Sequence, residues 1–181
     1  MILTPVAGQN ILTRCLPKTG QETEYQAGDD GTYEAGWWKG RLNLNNRVRF
    51  VSKTIGGDVV VLDRATGLMW AANGNAAGCN NGARISWSNG ITYANGLTFA
   101  GFSDWRLPNL RELMSIINWS LINPAISQPP FLNSKYDYGS WSSTTCVWSI
   151  EKGWAVTFDF GWNYYFDKTL TKYIRCVRKG L

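Results

Sequence analysis

The feature that most constrains this fold is a run of aromatic residues with a two-residue period near the C-terminal end of the chain. The sequence has ten Trp, eight Tyr and seven Phe, and twelve of these 25 residues lie within positions 136–173. Over residues 154–160, large apolar side chains alternate with smaller or polar ones, which predicts a strand with one buried face. A second alternation follows Gly161 over residues 162–167. The two runs therefore predict a hairpin around a glycine turn.

The two strands of this hairpin have different predicted environments. In the first strand, Trp154, Val156 and Phe158 share one face, so we expect them in the core. The second strand carries aromatic side chains on both of its faces: Trp162, Tyr164, Tyr165 and Phe166. We therefore expect at least one face of this strand to contact solvent. An aromatic excess at a hairpin rim beside loops is typical of a recognition surface, although core filling is the alternative.

Composition places the chain in the globular class and removes several kinds of chemistry. Apolar residues make up 44% and charged residues 17% of its 181 residues, and the net charge is +5. It contains no His, which excludes Ser-His-Asp and Cys-His catalysis and the HExxH zinc motif. The basic cluster near the C-terminus is interpreted as a solvated strand edge: Lys168, Lys172, Arg175, Arg178 and Lys179.

Four widely spaced cysteines exclude a CxxC metal or redox motif: Cys15, Cys79, Cys146 and Cys176. Two disulfides are possible in three pairings, but we expect free thiols because no signal-peptide pattern is present. The longest apolar run, residues 59–62, is too short to cross a membrane. We expect neither a metal nor another cofactor.

Two helices are predicted between the early strands and the hairpin. Ser86 is a suitable N-cap for a first helix, whose apolar residues recur every three or four positions. After Pro108, an apolar stripe predicts a second helix over residues 109–117. We expect residues 1–46 to form an N-terminal arm packed on a main domain of residues 47–181.

Several motifs together resemble one known family. DRATGLMW (63–70), GFSDWRLPNLRELMSIIN (101–118), NPAI (123–126), WSSTT (141–145), WAVTFDFG (154–161) and YIRCVR (173–178) occur in the order typical of the Lcl C-terminal domain family. The resemblance implies an α+β, C-type-lectin-like fold with two helices and short mixed, mainly antiparallel sheets. It also implies that Trp105, Arg106 and Leu107 are core or core-edge residues, that Asp104 has a nearby hydrogen-bond donor and that Cys176 is buried.

The resemblance also implies a function in ligand recognition. Members of this family include variable proteins of diversity-generating retroelements, in which a C-terminal lectin-fold module displays hypervariable side chains. Residues 140–168 lie where such a variable region would lie. The unusual Cys146-Val147-Trp148 sequence after WSSTT predicts an exposed Cys and an exposed Trp there. The calcium-dependent sugar-binding triplets of lectins are broken at Gln128-Pro129-Pro130 and at Trp162-Asn163-Tyr164, so we do not expect calcium-dependent sugar binding.

The sequence thus predicts a non-enzymatic module that binds a protein or cell-surface ligand, and it leaves open whether the module is displayed on a virion or on a cell surface. The candidate ligand-binding residues are Tyr136, Tyr138, Cys146, Trp148, Ser149, Trp162, Asn163, Tyr164, Tyr165, Phe166 and Asp167. Two alternatives are a carbohydrate-binding adhesin-type domain and a relative of formylglycine-generating enzymes, which would use Cys146 and Cys176. We do not expect nucleic-acid binding, and we expect a monomer without a membrane segment.

Overall fold

The computed structural model describes residues 17–33 and 48–180, and the statements below refer to those residues. They form an α+β fold with short helices and three small antiparallel sheets, which confirms the predicted α+β class. The predicted arm boundary near residue 46 lies outside the described residues. Within residues 17–33, the carbonyl of Thr19 accepts a hydrogen bond from the Trp119 N–H at 3.0 Å, so this part of the arm contacts the loop after the second predicted helix.

The helices are α1 (Asp30–Tyr33), α2 (Trp87–Asn95) and α3 (Leu110–Met114), with a kinked 3-10 segment at Ala77–Gly82. The strands are β1 (Phe50–Ile55), β2 (Asp58–Asp63), β3 (Leu68–Ala71), β4 (Ile85–Ser86), β5 (Ser140–Thr145), β6 (Lys152–Thr157), β7 (Trp162–Asp167), β8 (Thr171–Lys172) and β9 (Val177–Lys179). The sheets have the orders β1-β2-β3-β9, β4-β8 and β5-β6-β7. No helix among the described residues is long and apolar enough to span a membrane.

The four-stranded sheet separates two buried clusters. Val60 and Val61 are neighbours in β2, and because successive side chains of a strand point to opposite faces, each lies in a different cluster. The first cluster contains Trp105, Leu107 and Trp141, and the second contains Trp70, Leu113, Phe131 and Phe158. The predictions that Trp105 and Leu107 are core residues are confirmed.

Helix α3 begins where the sequence predicts and ends earlier. Asn109 is its N-cap and forms a capping box with Glu112, whose carboxylate also binds the Arg106 guanidinium at 2.7 Å. The predicted helix continued to residue 117, but α3 ends at Met114. The Asn118 N–H instead pairs with the carbonyl of Ala125, so the chain turns away while its apolar residues remain buried.

The basic C-terminal cluster is largely buried, so its interpretation as a solvated strand edge is wrong for Lys172, Arg175 and Arg178. Arg175 donates to the carbonyl oxygens of Ala71 and Ala72, and Arg178 forms an ion pair with Asp104 at 2.6 Å. Each buried cation is thus satisfied by carbonyl or carboxylate oxygens. The ion pair holds the pKa of Asp104 below its usual value and confirms the predicted donor partner.

Candidate functional site

The β6–β7 hairpin is present, with a turn at residues 158–161. Gly161 has a φ of +77°, and a side chain there would collide with Ile117, whose methyl carbon lies 2.6 Å from the Cβ position. Phe158 leaves the strand at this turn and enters the core, whereas Phe160 is exposed. The first strand therefore ends at Thr157, before the predicted position, and the turn itself supplies a core residue.

One face of β7 carries a row of aromatic rings that we call the aromatic ladder, formed by Phe160, Trp162, Tyr164 and Phe166. Neighbouring ring centroids along the row are 5.3, 6.2 and 6.3 Å apart. The first three side chains are about half exposed, and Phe166 is half-buried against the core residue Trp141. The ladder is therefore held at one end by the core and reaches solvent along the rest of its length.

The opposite face carries a second group, which we call the aromatic triad. It consists of Trp148, Trp154 and Tyr165, whose ring centroids are 5.5–6.0 Å apart in edge-to-face arrangements. The Lys152 ammonium lies 5.4 Å from the Tyr165 ring centroid. Trp154 is only partly buried, so its prediction as a core residue is wrong. Its strand neighbour Val156 does face the core, which shows that packing covers only part of this face.

Lys172 connects the ladder to a second aromatic region. Its Nζ lies 3.3 Å from the Phe166 ring centroid and donates a hydrogen bond to the Tyr138 carbonyl at 3.0 Å. Burial lowers the pKa of Lys172 to about 8. The Tyr138 ring packs edge-to-face on Tyr173, and the Arg84 guanidinium stacks 3.8 Å from its centroid. The amine therefore links the sheet to the loop that precedes β5.

That loop forms one side of an open groove with a volume of about 330 Å³. The groove is lined by Asn133, Ser134, Lys135, Tyr136, Asp137 and Tyr173. Burial and the nearby Asp137 carboxylate raise the pKa of the Tyr173 hydroxyl. Tyrosine rings beside amide, carboxylate and ammonium groups offer both apolar contact and hydrogen bonds to a ligand.

The structure divides the residues predicted for the site between two faces. Trp162, Tyr164 and Phe166 lie on the ladder side, which Lys172 joins to the loop holding Tyr136 and Tyr138. Trp148 and Tyr165 lie on the other face in the triad. By strand alternation, Asn163 and Asp167 share that other face.

Two polar residues of the predicted site are engaged in local hydrogen bonds. The Ser149 hydroxyl donates to the Glu151 carboxylate, and Asp167 accepts from the backbone and side chain of Thr169 at 2.9 and 2.7 Å. The Thr169 donors hold the pKa of Asp167 below its usual value. Both side chains therefore stabilise the local turns in addition to bordering the surface.

Cys146 does not belong to the surface, and the expectation that it is exposed is wrong. It is fully buried, and its N–H donates to the Lys152 carbonyl at 2.9 Å. Trp148, two residues later, is exposed as expected. Cys79, Cys146 and Cys176 are free thiols, which confirms that prediction for these three residues, while Cys15 lies outside the described ranges. Burial raises the pKa of the Cys176 thiol above its ordinary value.

Four residues that were not predicted for the site lie in or beside the aromatic ladder and the aromatic triad: Phe160, Trp154, Trp119 and Lys172. The Trp119 Nε1 lies 3.1 Å from the position a Gly161 Cβ would take, so Trp119 extends the exposed aromatic surface beyond the hairpin turn. Its position in the sequence, just after a predicted helix, contained no signal for this contact. Within residues 17–33 and 48–180, no three His, Cys, Asp or Glu side chains are grouped to hold a metal ion.

A protein-family model matches about two thirds of the chain. Residues 59–178, which are 120 of the 181 residues, match the family model described as the Lcl C-terminal domain. The matched segment contains β3, both predicted helices, the hairpin and the groove loop. A search of curated proteins found no match.

Proposed function

Because the chain belongs to the Lcl C-terminal domain family, we propose that it is a ligand-recognition module which binds a protein or cell-surface target. The binding surface consists of the aromatic ladder, the aromatic triad and the groove loop. We further propose that the chain is a variable protein of a diversity-generating retroelement, in which the exposed side chains of residues 140–168 differ between copies.

The observation that carries this proposal is the exposure of large aromatic side chains on both faces of one strand. Trp162, Tyr164 and Tyr165 are 54%, 51% and 42% exposed, although the domain buries Trp70, Trp105 and Trp141 almost completely. Water contact at several neighbouring rings costs free energy that a partner would recover by covering them. Rigid rings with polar tips are also the side chains that paratopes use most.

The hairpin backbone is held independently of these exposed side chains. Six residue pairs join β6 to β7 without a bulge, and Phe158 and Gly161 anchor the turn against the core. Exposed side chains can therefore change while the backbone keeps its position, since surface substitutions usually alter stability little. This separation between scaffold and displayed side chains is what a variable recognition module requires.

The proposal is tested with two display libraries of the full chain. The first randomises Trp148, Trp162, Tyr164 and Tyr165, and the second randomises the buried residues Trp105, Trp141, Val156 and Phe158. We expect most clones of the first library to resist protease on the displaying cell and few clones of the second to do so. Selection of the first library on purified lysozyme should also yield binders. Equal protease sensitivity of the two libraries would contradict the proposal.

The genomic arrangement provides a second test of the retroelement part of the proposal. Sequencing of the DNA around the gene should reveal a reverse transcriptase and a near-copy of its 3′ end. Differences between the near-copy and the gene should fall at codons for exposed residues such as Trp148 and Tyr164 and avoid Cys146 and Phe158. The absence of both elements would refute the retroelement assignment. The proposal that the chain is a recognition module would then be tested by the library experiment alone.

Carbohydrate binding is a second candidate function, favoured by the groove. Tyr136 and Tyr173 provide ring faces and edges there, while Asn133 and Asp137 offer hydrogen-bond partners for hydroxyl groups. On a glycan array, binding that survives EDTA and disappears in Asp137→Ala, but not in Trp148→Ser, would support this candidate.

A relative of formylglycine-generating enzymes would need reactive thiols at Cys146 and Cys176. Both side chains are buried, and the pKa of the Cys176 thiol is raised, so the structure does not favour this alternative.

A further inference from the structure

A small cavity lies beside the groove and shares two of its lining residues. Its volume is about 10 Å³, which is close to the smallest space that holds one water molecule. Lys135 and Tyr173 line both the cavity and the groove, whereas Ser140 and Arg175 line only the cavity. The cavity therefore has room for one water-sized molecule or ion.

Arg175 places a positive charge beside this cavity without an acidic partner. It is 3% exposed, and no acid within residues 17–33 and 48–180 forms an ion pair with it. A guanidinium carries five N–H groups. Three are used, because Nη1 donates to the carbonyl oxygens of Ala71 and Ala72, and Nη2 donates to the Ser134 hydroxyl at 2.8 Å. These neutral acceptors leave the charge itself uncompensated, which is costly in a protein interior.

Ser140 brings a hydroxyl group without a partner to the same cavity. It is 4% exposed, and its hydroxyl forms no hydrogen bond with the part of the chain that the structure describes. In contrast, the hydroxyl of Ser142, two residues later in β5, donates to the Trp154 carbonyl at 2.8 Å. Since buried hydroxyl groups are normally hydrogen-bonded, Ser140 indicates that the cavity holds a polar ligand.

The other residues at the cavity favour an anion over water. Lys135 adds a second cationic side chain, and none of the described residues that line the cavity is Asp or Glu. Cys79 also lines it, but burial raises the pKa of the thiol, so this group is neutral at pH 7 and supplies no negative charge. Asp137 lines the groove, near the Tyr173 hydroxyl, and does not line the cavity. A water molecule needs acceptors for its protons, whereas an anion needs only donors.

We propose that this cavity is an anion site that binds a chloride ion between Arg175 and Ser140, with Lys135 on the side of the groove. The cavity is too small for a polyatomic anion such as sulfate. The chloride ion neutralises the buried guanidinium and accepts the hydrogen bond that the Ser140 hydroxyl lacks. Because Lys135 and Tyr173 also line the groove, the ion stabilises one wall of the groove. The anion site does not depend on the proposed recognition function.

The site is tested in solution by replacing chloride with gluconate at constant pH and ionic strength. Gluconate is too large to enter the cavity. The melting temperature of the full chain should rise with chloride concentration and reach a plateau, because an anion that binds only the folded state stabilises it. Equal melting temperatures at every ratio of the two salts would overturn the proposal.

Two serine variants of β5 separate binding at the cavity from a general effect of the salt. Ser140→Ala removes a donor to the anion, so the chloride concentration that gives half of the stabilisation should rise by ~10-fold or more. Ser142→Ala removes the hydrogen bond to the Trp154 carbonyl instead. It should melt at a lower temperature but keep the chloride dependence of the wild type. The same chloride dependence in Ser140→Ala as in the wild type would show that the ion acts elsewhere.

Bromide locates the ion directly and requires no variant. Wild-type crystals grown without chloride and soaked in sodium bromide should give an anomalous-scattering peak inside the cavity, in contact with Arg175 and Ser140. Bromide peaks on the surface alone would identify an adventitious ion only and would overturn the anion site. A water molecule in the cavity without an anomalous signal would overturn it as well.

Discussion

Replacement of an exposed and a buried tryptophan by the same residue gives a quantitative test of the surface. Trp148 is 66% exposed and Trp105 is 2% exposed. A fully buried aromatic side chain removes roughly 150–250 Å² from water. At about 25 cal/mol per Å², the covered third of Trp148 therefore contributes ~1–2 kcal/mol. The rings of Trp154 and Tyr165 that cover it are themselves near the surface and can close over the space.

We therefore expect Trp148→Ser to lower the free energy of unfolding by about 1 kcal/mol. Truncation of a core tryptophan such as Trp105 should cost about 3–5 kcal/mol. Trp105→Ser also leaves the carbonyl of Phe99 without the indole N–H that donates to it at 2.9 Å. The expected gap between the two variants is thus at least ~2 kcal/mol.

The measurement is urea denaturation of each variant, with the midpoint and the slope fitted together. For a domain of this size, the melting temperature should fall by roughly 2–4 °C for each kcal/mol. Trp148→Ser should therefore melt a few degrees below the wild type, and Trp105→Ser far lower or not fold at all. If the two variants lose equal stability at the same denaturation slope, Trp148 is a core residue and the surface loses one of its main members.

Three further predictions concern charge, thiols and metals. Because burial lowers the folded-state pKa of Lys172 to about 8, the unfolded chain binds more protons between about pH 8 and 10.4, so the free energy of unfolding should rise with pH across that window. The free energy of unfolding of the wild type, measured by urea denaturation relative to that of Lys172→Met, should increase by on the order of 1–2 kcal/mol between pH 7 and 9.5. If this difference between the two proteins is the same at both pH values, the amine is not buried as described. In a Cys15→Ser variant, Cys79, Cys146 and Cys176 should react with Ellman's reagent only after unfolding, and rapid labelling of the native protein would show an accessible thiol. Prolonged EDTA treatment should leave the melting temperature unchanged, since no metal is expected to contribute to folding, and a drop of several degrees would count against this.

Local pattern was enough to predict the hairpin and the start of α3, and the resemblance of several motifs indicated the family. Alternation of large side chains and a glycine between two runs are properties of neighbouring residues, so they predict strands and a turn without knowledge of the rest of the chain. The same holds for the Asn109 cap and the apolar stripe that follows it. The end of α3 depended on a distant residue, because the Asn118 N–H bonds to Ala125 instead of continuing the helix.

The tertiary structure decided which members of each pattern are buried. Trp154 and Val156 share a strand face, but only Val156 belongs to a buried cluster, whereas Trp154 joins the partly exposed triad. Strand period assigns a side chain to a face and cannot say how far the layer above that face extends.

The same limit explains the errors at Cys146 and in the basic C-terminal cluster. Cys146 follows β5 in a segment that looks like an exposed loop, yet its N–H is tied to β6 and its thiol faces the interior. Lys172, Arg175 and Arg178 are polar in sequence, but carbonyl oxygens and the Asp104 carboxylate make their burial favourable. The sequence by itself determined the hairpin and the start of α3, because those depend on near neighbours, and its motifs indicated the family. Only the packing of distant segments decided which of its aromatic and charged side chains meet solvent.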